Sequence, residues 1–296
     1  MSVVIETARP SFASVTRDYL ELSKSRIVLM VLITTAAGYF FAAPHVDPLL
    51  FLHALIGTAL VAAGTNALNQ FVEREHDAKM LRTRTRPLPA GRITPRAALV
   101  FSAAIAVAGT LYLGVAVNWL TALLGVVTLA SYIFVYTPLK RVSTICTLVG
   151  AIPGAIPPLM GWTAATNQLA VGGWILFGIL FLWQLPHFMA ISWMYRDDYA
   201  RGGFAMLSVR DGDGTAVAGQ AIYYSLGLLG VSVLPTLYGL AGPFYLAGAV
   251  AAGSALLVAA IRFFFHRGAR NARKLFMLSN LYLLTVMVLL VLDARR

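Results

Sequence analysis

The sequence predicts an all-α membrane protein of nine transmembrane helices, on three observations. Of its 296 residues, 59% are hydrophobic and 12% charged, with a mean hydropathy of +0.76, whereas about a quarter of a soluble domain is charged. Apolar segments close to the roughly 20 residues needed to cross about 30 Å of hydrocarbon recur nine times. The basic residues also gather on one side of those segments. This composition excludes a soluble globular domain and a disordered chain, and the single Cys146 excludes an intrachain disulfide scaffold.

Taken in order, residues 1–25 hold Glu6, Arg9, Arg17, Asp18, Glu21 and Lys24 and lack an apolar core followed by a small-residue cleavage site. They read as a cytoplasmic amphipathic N-terminal segment and not as a signal peptide, which leaves 26–296 as a single membrane domain. The spans are predicted at 26–43, 48–72, 96–117, 119–137, 143–163, 171–194, 217–238, 243–265 and 274–292. The fifth carries Pro153, Pro157 and Pro158 with Gly150, Gly154 and Gly161. It is the span expected to break, which is tolerated where helices line a cavity.

Charge placement gives the topology. Of the 23 Lys and Arg residues, 21 lie before or at the start of the first span, or in and at the edges of the connections between spans 2 and 3, 4 and 5, 6 and 7, and 8 and 9; Arg295 and Arg296 stand at the other end. The opposite connections are short and carry no Lys or Arg. The positive-inside rule then puts the N-terminus in the cytoplasm and the C-terminus outside the cytoplasmic (inner) membrane. A net charge of +11 therefore records topology and attraction to the lipid bilayer, and needs no nucleic acid.

The acids are less easily explained. Seven of the twelve carboxylates fall in two loops: Glu73, Glu75 and Asp77 after span 2, and Asp197, Asp198, Asp211 and Asp213 after span 6. Orientation needs Lys and Arg but is nearly indifferent to Asp and Glu. Asn69, Glu73 and Asp77 recur every four residues and spread over only about 80° of helix circumference. Such an oxygen-bearing face suits a hard divalent cation, Mg²⁺ above all, which shares its shell with substrate phosphate. The same spacing also serves helix pairing with Arg74 or Lys79. Next, Arg82, Arg84 and Arg86 alternate before Pro87, which favours extended backbone and three guanidiniums on one side, fit for a polyanion or for lipid headgroups.

At the end of span 6, His187 and Asp198 are eleven positions apart, about 20° in phase and about 16 Å along a straight helix that Pro186 is expected to bend. His187 reads either as facing substrate inside the membrane or as hydrogen-bonded to a neighbouring carbonyl. Tyr136 and Lys140, at the end of span 4, read by themselves as an interfacial aromatic and a snorkelling lysine. Asp211-Gly-Asp-Gly214 resembles a turn.

Longer strings carry a resemblance. Asn69-x-x-x-Glu73-x-x-x-Asp77 resembles the first Asp-rich motif of the intramembrane aromatic prenyltransferases, with Glu for the middle Asp, and a second acidic motif follows four helices later. Asp77-Ala-Lys-Met-Leu-Arg-Thr-Arg-Thr-Arg-Pro-Leu-Pro89, Tyr136-Thr-Pro-Leu-Lys-Arg141, Trp183-Gln-Leu-Pro-His-Phe188 and Asp198-Tyr-Ala-Arg-Gly-Gly203 are similar to the haem-modifying branch of that superfamily, the protohaem IX farnesyltransferases. The resemblance runs from about Asp18 to span 9.

The resemblance implies nine helices around a central apolar cavity open toward the cytoplasmic face. It implies transfer of the farnesyl group of farnesyl diphosphate to a vinyl group of haem B, with Mg²⁺ as cofactor, giving haem O for haem A synthase and haem–copper oxidase assembly. Carried over residue by residue, Asn69, Glu73, Asp77 and Asp198 become metal or diphosphate ligands, with Asp197 a rival to Asp198. Arg82, Arg86, Lys140, Arg201 and Tyr136 hold the diphosphate, and His187 and Gln184 meet the haem. The competing readings are a prenyltransferase with another ring acceptor, a small-anion transporter and a non-catalytic assembly factor. The transporter fares poorly because no Asp, Glu, Lys or Arg falls in the middle of a predicted span.

Overall fold

The computed structural model describes residues 11–295; Glu6 and Arg9 of the N-terminal segment and Arg296 lie outside them. Helix α1 (Phe12–Leu22) starts where the Ser11 hydroxyl accepts the Ser14 N–H at 3.2 Å, satisfying a donor that the first turn leaves unpaired. After α2 (Ser25–Ala42), helix α3 (Pro48–Asp77) opens on Asp47, whose carboxylate accepts the N–H groups of Leu49 and Leu50, with Pro48 at the first helical position. Thr94 and Pro95 repeat this arrangement for α4 (Pro95–Ala116), and Asn118 caps α5 (Trp119–Ala130). A π-turn over Ser131–Tyr136 leads into the short α6 (Thr137–Leu139), so one span runs over Trp119–Leu139. Then come α7 (Cys146–Thr166), α8 (Val171–Met194), the short α9 (Arg196–Arg201) and α10 (Leu207–Arg210), α11 (Thr215–Ser232), α12 (Leu234–Leu237), α13 (Pro243–Phe265) and α14 (Ala269–Leu292).

Among the described residues nine helices are long and apolar enough to cross a membrane, and the only β pairing is an isolated bridge between Ala241 and Ala294. The protein is an integral, multi-pass membrane protein. Three spans differ from expectation by three residues or more: α3 continues past 72 to Asp77, α7 is shifted to Cys146–Thr166, and α14 begins at Ala269. Apolarity marks the hydrocarbon, whereas the helical hydrogen bonds continue through polar turns beyond it.

The spans close into a ring. α2 lies beside α3, α3 along α4, α4 beside α5, and α5 beside α7; α7 leads to α8, α11, α13 and α14, which returns to α8 and α2. Side chains such as Val115, Phe134, Tyr223 and Phe244 are exposed on the outside, where lipid takes the place of water. The expectation of a broken fifth span is not met. α7 is continuous through Pro153, Pro157 and Pro158 and is buried along most of its length. Packing from α2, α5 and α8 holds it straight enough that the missing proline N–H groups do not interrupt it. The approach of α2 is close: a Cβ on Gly38 would collide with the Pro158 carbonyl oxygen, and one on Gly161 with that of Thr35. Without glycine at these two positions the helices could not meet backbone to backbone.

Candidate active site

The acidic column is buried at the basic end of α3. Asn69, Glu73 and Asp77 are 1%, 4% and 1% exposed, and each has a partner from another part of the chain. Lys24 Nζ donates to Asn69 Oδ1 at 2.9 Å, and Asn69 Nδ2 donates to Thr137 Oγ1 at 3.2 Å. Lys140 Nζ donates to Glu73 Oε1 at 2.8 Å, and Arg86 Nη1 to Asp77 Oδ2 at 2.7 Å. Buried carboxylates require such pairing, because an unpaired charge taken out of water costs several kcal/mol.

Local structure explains these meetings. In the π-turn the Thr137 hydroxyl donates to the carbonyl five residues back, Tyr132 O, at 2.8 Å, and the extra residue rotates the chain beyond it. Tyr132 and Tyr136 thereby both line the interior, their ring centroids 5.0 Å apart, and Lys140 lies 4.5 Å from the Tyr136 ring. Lys140 is therefore not a snorkelling lysine: it turns inward to Glu73. Burial opposes its charge, but Glu73 and the flanking tyrosines hold its pKa well above the ordinary lysine value.

Lys24 was not singled out by the sequence reading. It stands in the left-handed region at φ 52°, ψ 56°, between α1 and α2. The lead-in that fixes it is bound firmly, since Gln70 Nε2 donates to the carbonyls of Glu21 and Leu22 at 3.0 and 2.7 Å, and Arg92 bonds Asp18 and Glu21, each at 2.8 Å. Burial, reinforced by Arg86, brings the Lys24 pKa down to about 7.

The two acidic loops meet over this column. Asp198, 8% exposed, accepts the Leu81 N–H at 2.9 Å and Arg201 Nη2 at 2.5 Å. Burial alone would raise its pKa; those two donors hold the carboxyl below the usual range. His76, another residue the sequence reading passed over, donates from Nδ1 to the Gly202 carbonyl at 2.7 Å, and the Ala205 N–H bonds the Lys140 carbonyl at 2.7 Å. Gly203, at φ 72°, makes the turn that brings these groups together.

Several sequence expectations are corrected. The segment around Arg82, Arg84 and Arg86 is a succession of turns, with Arg84 N–H on the Met80 carbonyl and Arg86 N–H on that of Thr83, and not an extended strand. The three guanidiniums consequently diverge: Arg86 to Asp77, Arg82 over the Tyr195 ring at 4.9 Å, and Arg84 to the exterior. Pro87 restrains only its neighbour, while the turn hydrogen bonds decide the rest. Asp197 and Asp198 have different surroundings: the Asp197 side chain is 82% exposed, against Arg196 at 3.7 Å. His187 and Asp198 do not share a helix, because α8 ends at Met194 and α9 begins at Arg196. Asp211 and Asp213 do form a turn, accepting the N–H groups of Val217 and Thr215 at the start of α11.

Beneath the column lies a central, mostly apolar cavity of about 560 Å³, lined by residues such as Thr34, Val61, Tyr136, Pro157, Leu180 and Leu283. This falls within the roughly 300–1,000 Å³ of small-molecule sites. Gln184 and His187 both reach it. The Gln184 amide donates to the carbonyls of Leu180 and Ala151 at 3.0 and 3.3 Å, and its Oε1 occupies the place a Cβ on Gly154 would take. The His187 ring lies between Trp183 and Phe276, at centroid distances of 4.9 and 4.8 Å. Ser279 Oγ donates to the Phe276 carbonyl at 2.7 Å, so at 2.9 Å it accepts from His187 Nδ1–H. That network assigns the proton to Nδ1 and leaves Nε2 with a free lone pair.

Residues 31–284 match the UbiA prenyltransferase family. The chain belongs to that family. It is similar to the Protoheme IX farnesyltransferase of Solibacter usitatus, 47% identical with 94% of this chain and 98% of the relative covered. It is 46% identical to that of Anaeromyxobacter sp. strain Fw109-5, covering 97% of each. Among solved structures, a digeranylgeranylglyceryl phosphate synthase superposes with a TM-score of 0.78 at 19% identity, covering 94% of this chain and 98% of that one. A UbiA homologue from Archaeoglobus fulgidus bound to GPP and Mg²⁺ gives 0.66 at 14%, covering 92% and 99%. These structures share the UbiA fold with this chain. As a UbiA-family member the chain is a prenyltransferase.

Proposed function

We propose that this UbiA-family chain transfers the farnesyl group of farnesyl diphosphate to a vinyl group of haem B, giving haem O. The observation that carries this reading is the buried Asn69–Glu73–Asp77 column, matched by Lys24, Lys140 and Arg86, on the helix whose preceding turns, with Ala62, Thr65 and Asn66, line an apolar cavity. The names of the relatives at 42–47% identity support the choice of donor and acceptor. Residues 26–296 act as one membrane domain behind the N-terminal segment 1–25. The basic charges favour an N-terminus in the cytoplasm, a C-terminus outside and residence in the cytoplasmic membrane. Haem O would pass on to haem A synthase.

The donor set fits Mg²⁺ in kind and leaves part of its shell to the substrate. Asn69, Glu73, Asp77 and Asp198 are all oxygen donors, while no cluster of three or more acidic, His or Cys side chains forms a cage by itself among the described residues. Mg²⁺ is ordinarily bound in this way, through one or two carboxylates plus phosphate. When bound, it would neutralise charge on the departing diphosphate. Lys24, Lys140 and Arg86 would transfer part of their hydrogen bonding from Asn69, Glu73 and Asp77 to phosphate oxygens, joined by Arg82 and Arg201. The Tyr136 ring supports the Lys140 ammonium.

In the reaction a vinyl carbon attacks C1 of the farnesyl group and the C1–O bond breaks, its electrons leaving on diphosphate. Water then supplies hydroxide to the resulting cation and a proton is released. The apolar walls keep water from the allylic centre before the vinyl group arrives. His187, whose Nε2 lone pair is left free, would bind the haem iron, and Gln184 borders the same space.

The test is a mass spectrum of haem extracted after incubation of purified protein with haem B, farnesyl diphosphate and Mg²⁺, with an EDTA control. A gain of farnesyl plus water that EDTA abolishes is the expected result. Intact haem with consumed diphosphate means another acceptor, and no change in folded protein overturns the enzymatic assignment.

A further inference from the structure

Two cavities lie side by side at the basic ends of α2, α8 and α14, and each has a single charged lining residue. In the central cavity it is Arg26; in a neighbouring cavity of about 320 Å³, which also includes Met194, Tyr195 and Met277, it is Arg273. Phe276 lines both, and no Asp or Glu lines either. Lys140, Arg86 and Arg201 are each matched by an acid within the protein, whereas among the described residues neither Arg26 nor Arg273 forms an ion pair. Both point to an anion brought from outside.

Their position says which kind. Arg26, Met30 and Thr34 follow one another at intervals of four on the cavity face of α2. On α14, Arg273 and Asn280 are seven apart, about 20° in phase and about 10.5 Å along the axis, with Phe276 between them against His187. The two exposed arginines thus stand at the basic ends of α2 and α14, beside an aromatic, apolar slot. A ligand matching this is flat and apolar over most of its area, with two carboxylates on one edge. Carboxylates are too costly to carry into hydrocarbon and are held best by arginine forks.

We propose that Arg26 and Arg273 seat the carboxylate edge of the tetrapyrrole acceptor, leaving its carbon-rich edge in the cavity; this rests on the haem reading above. The experiment compares haem B with its dimethyl ester, in the wild type and in Arg26→Gln, Arg273→Gln and the double variant, by absorption titration without donor and by turnover. Both arginines are at the surface, so the variants are expected to fold. The wild type should bind haem B about tenfold or more tighter than the ester. The variants should lose that preference while the ester's affinity and the KM for farnesyl diphosphate stay unchanged. Equal affinity for haem and ester in the wild type, or equal losses for both in the variants, overturns the seat while leaving the activity standing. Variants altered only in their response to anionic lipid in nanodiscs would show headgroup contacts instead and also overturn it. Failure of the wild type to bind or alter haem removes the haem reading itself, and the seat with it.

Discussion

At the scale of single residues, function turns on which oxygens are buried and which cation each one meets. Asp197 and Asp198 are adjacent in sequence and differ completely in surroundings, one exposed and the other bonded to Leu81 N–H and Arg201. Asp198→Asn is therefore expected to lower turnover at least about tenfold through loss of charge-assisted bonds, and Asp197→Asn to change it by less than a factor of two. Glu73→Gln should abolish metal-dependent turnover in protein that remains folded in the membrane, and unimpaired turnover would remove Glu73 from the ligand set. His187→Ala should alter the absorption spectrum of bound haem, because among the described residues no other histidine lines the cavity. An unchanged spectrum and affinity would dismiss the axial-ligand role. Lys24 shows how a candidate site residue escapes sequence reading: it lies in a lead-in whose charges look like a surface pattern, and a left-handed backbone turn directs it to Asn69.

At the scale of elements, a helix that local rules expect to break is instead the centre of the bundle. α7 keeps its three internal prolines because neighbours surround it, and its glycines admit Tyr136, Gln184 and the backbone of α2. Gly38→Ala should destabilise the protein by about 1–3 kcal/mol through overpacking against Pro158. The readout is the thermal unfolding midpoint in detergent, and an unshifted midpoint would mean that α2 can retreat without loss. The turns at 80–92 give the complementary lesson. A pattern of alternate arginines suggested a strand, yet hydrogen bonds three and four residues apart wind the segment so that only Arg86 reaches the α3 column.

For the whole molecule, the one-sided basic charge is expected to orient the spans, and the two acidic loops, four helices apart in sequence, bond each other. In a cell with an intact membrane, an impermeant thiol reagent applied from outside should label Tyr238→Cys and spare Gly268→Cys; both positions are exposed, and the native Cys146 is buried. The reverse pattern would invert the topology.

The number and order of the spans, the face carrying the charge and the i, i+4 acidic column were legible in the sequence. Each depends on composition or on helical periodicity, which are local properties. The partners of Asn69, Glu73, Asp77 and Asp198 were decided only by tertiary structure, as were the continuity of α7, the proton on His187 Nδ1 and the outward turn of Asp197. These depend on groups tens of residues apart brought together by packing, where burial forces every charge to find a counterpart that no local pattern names.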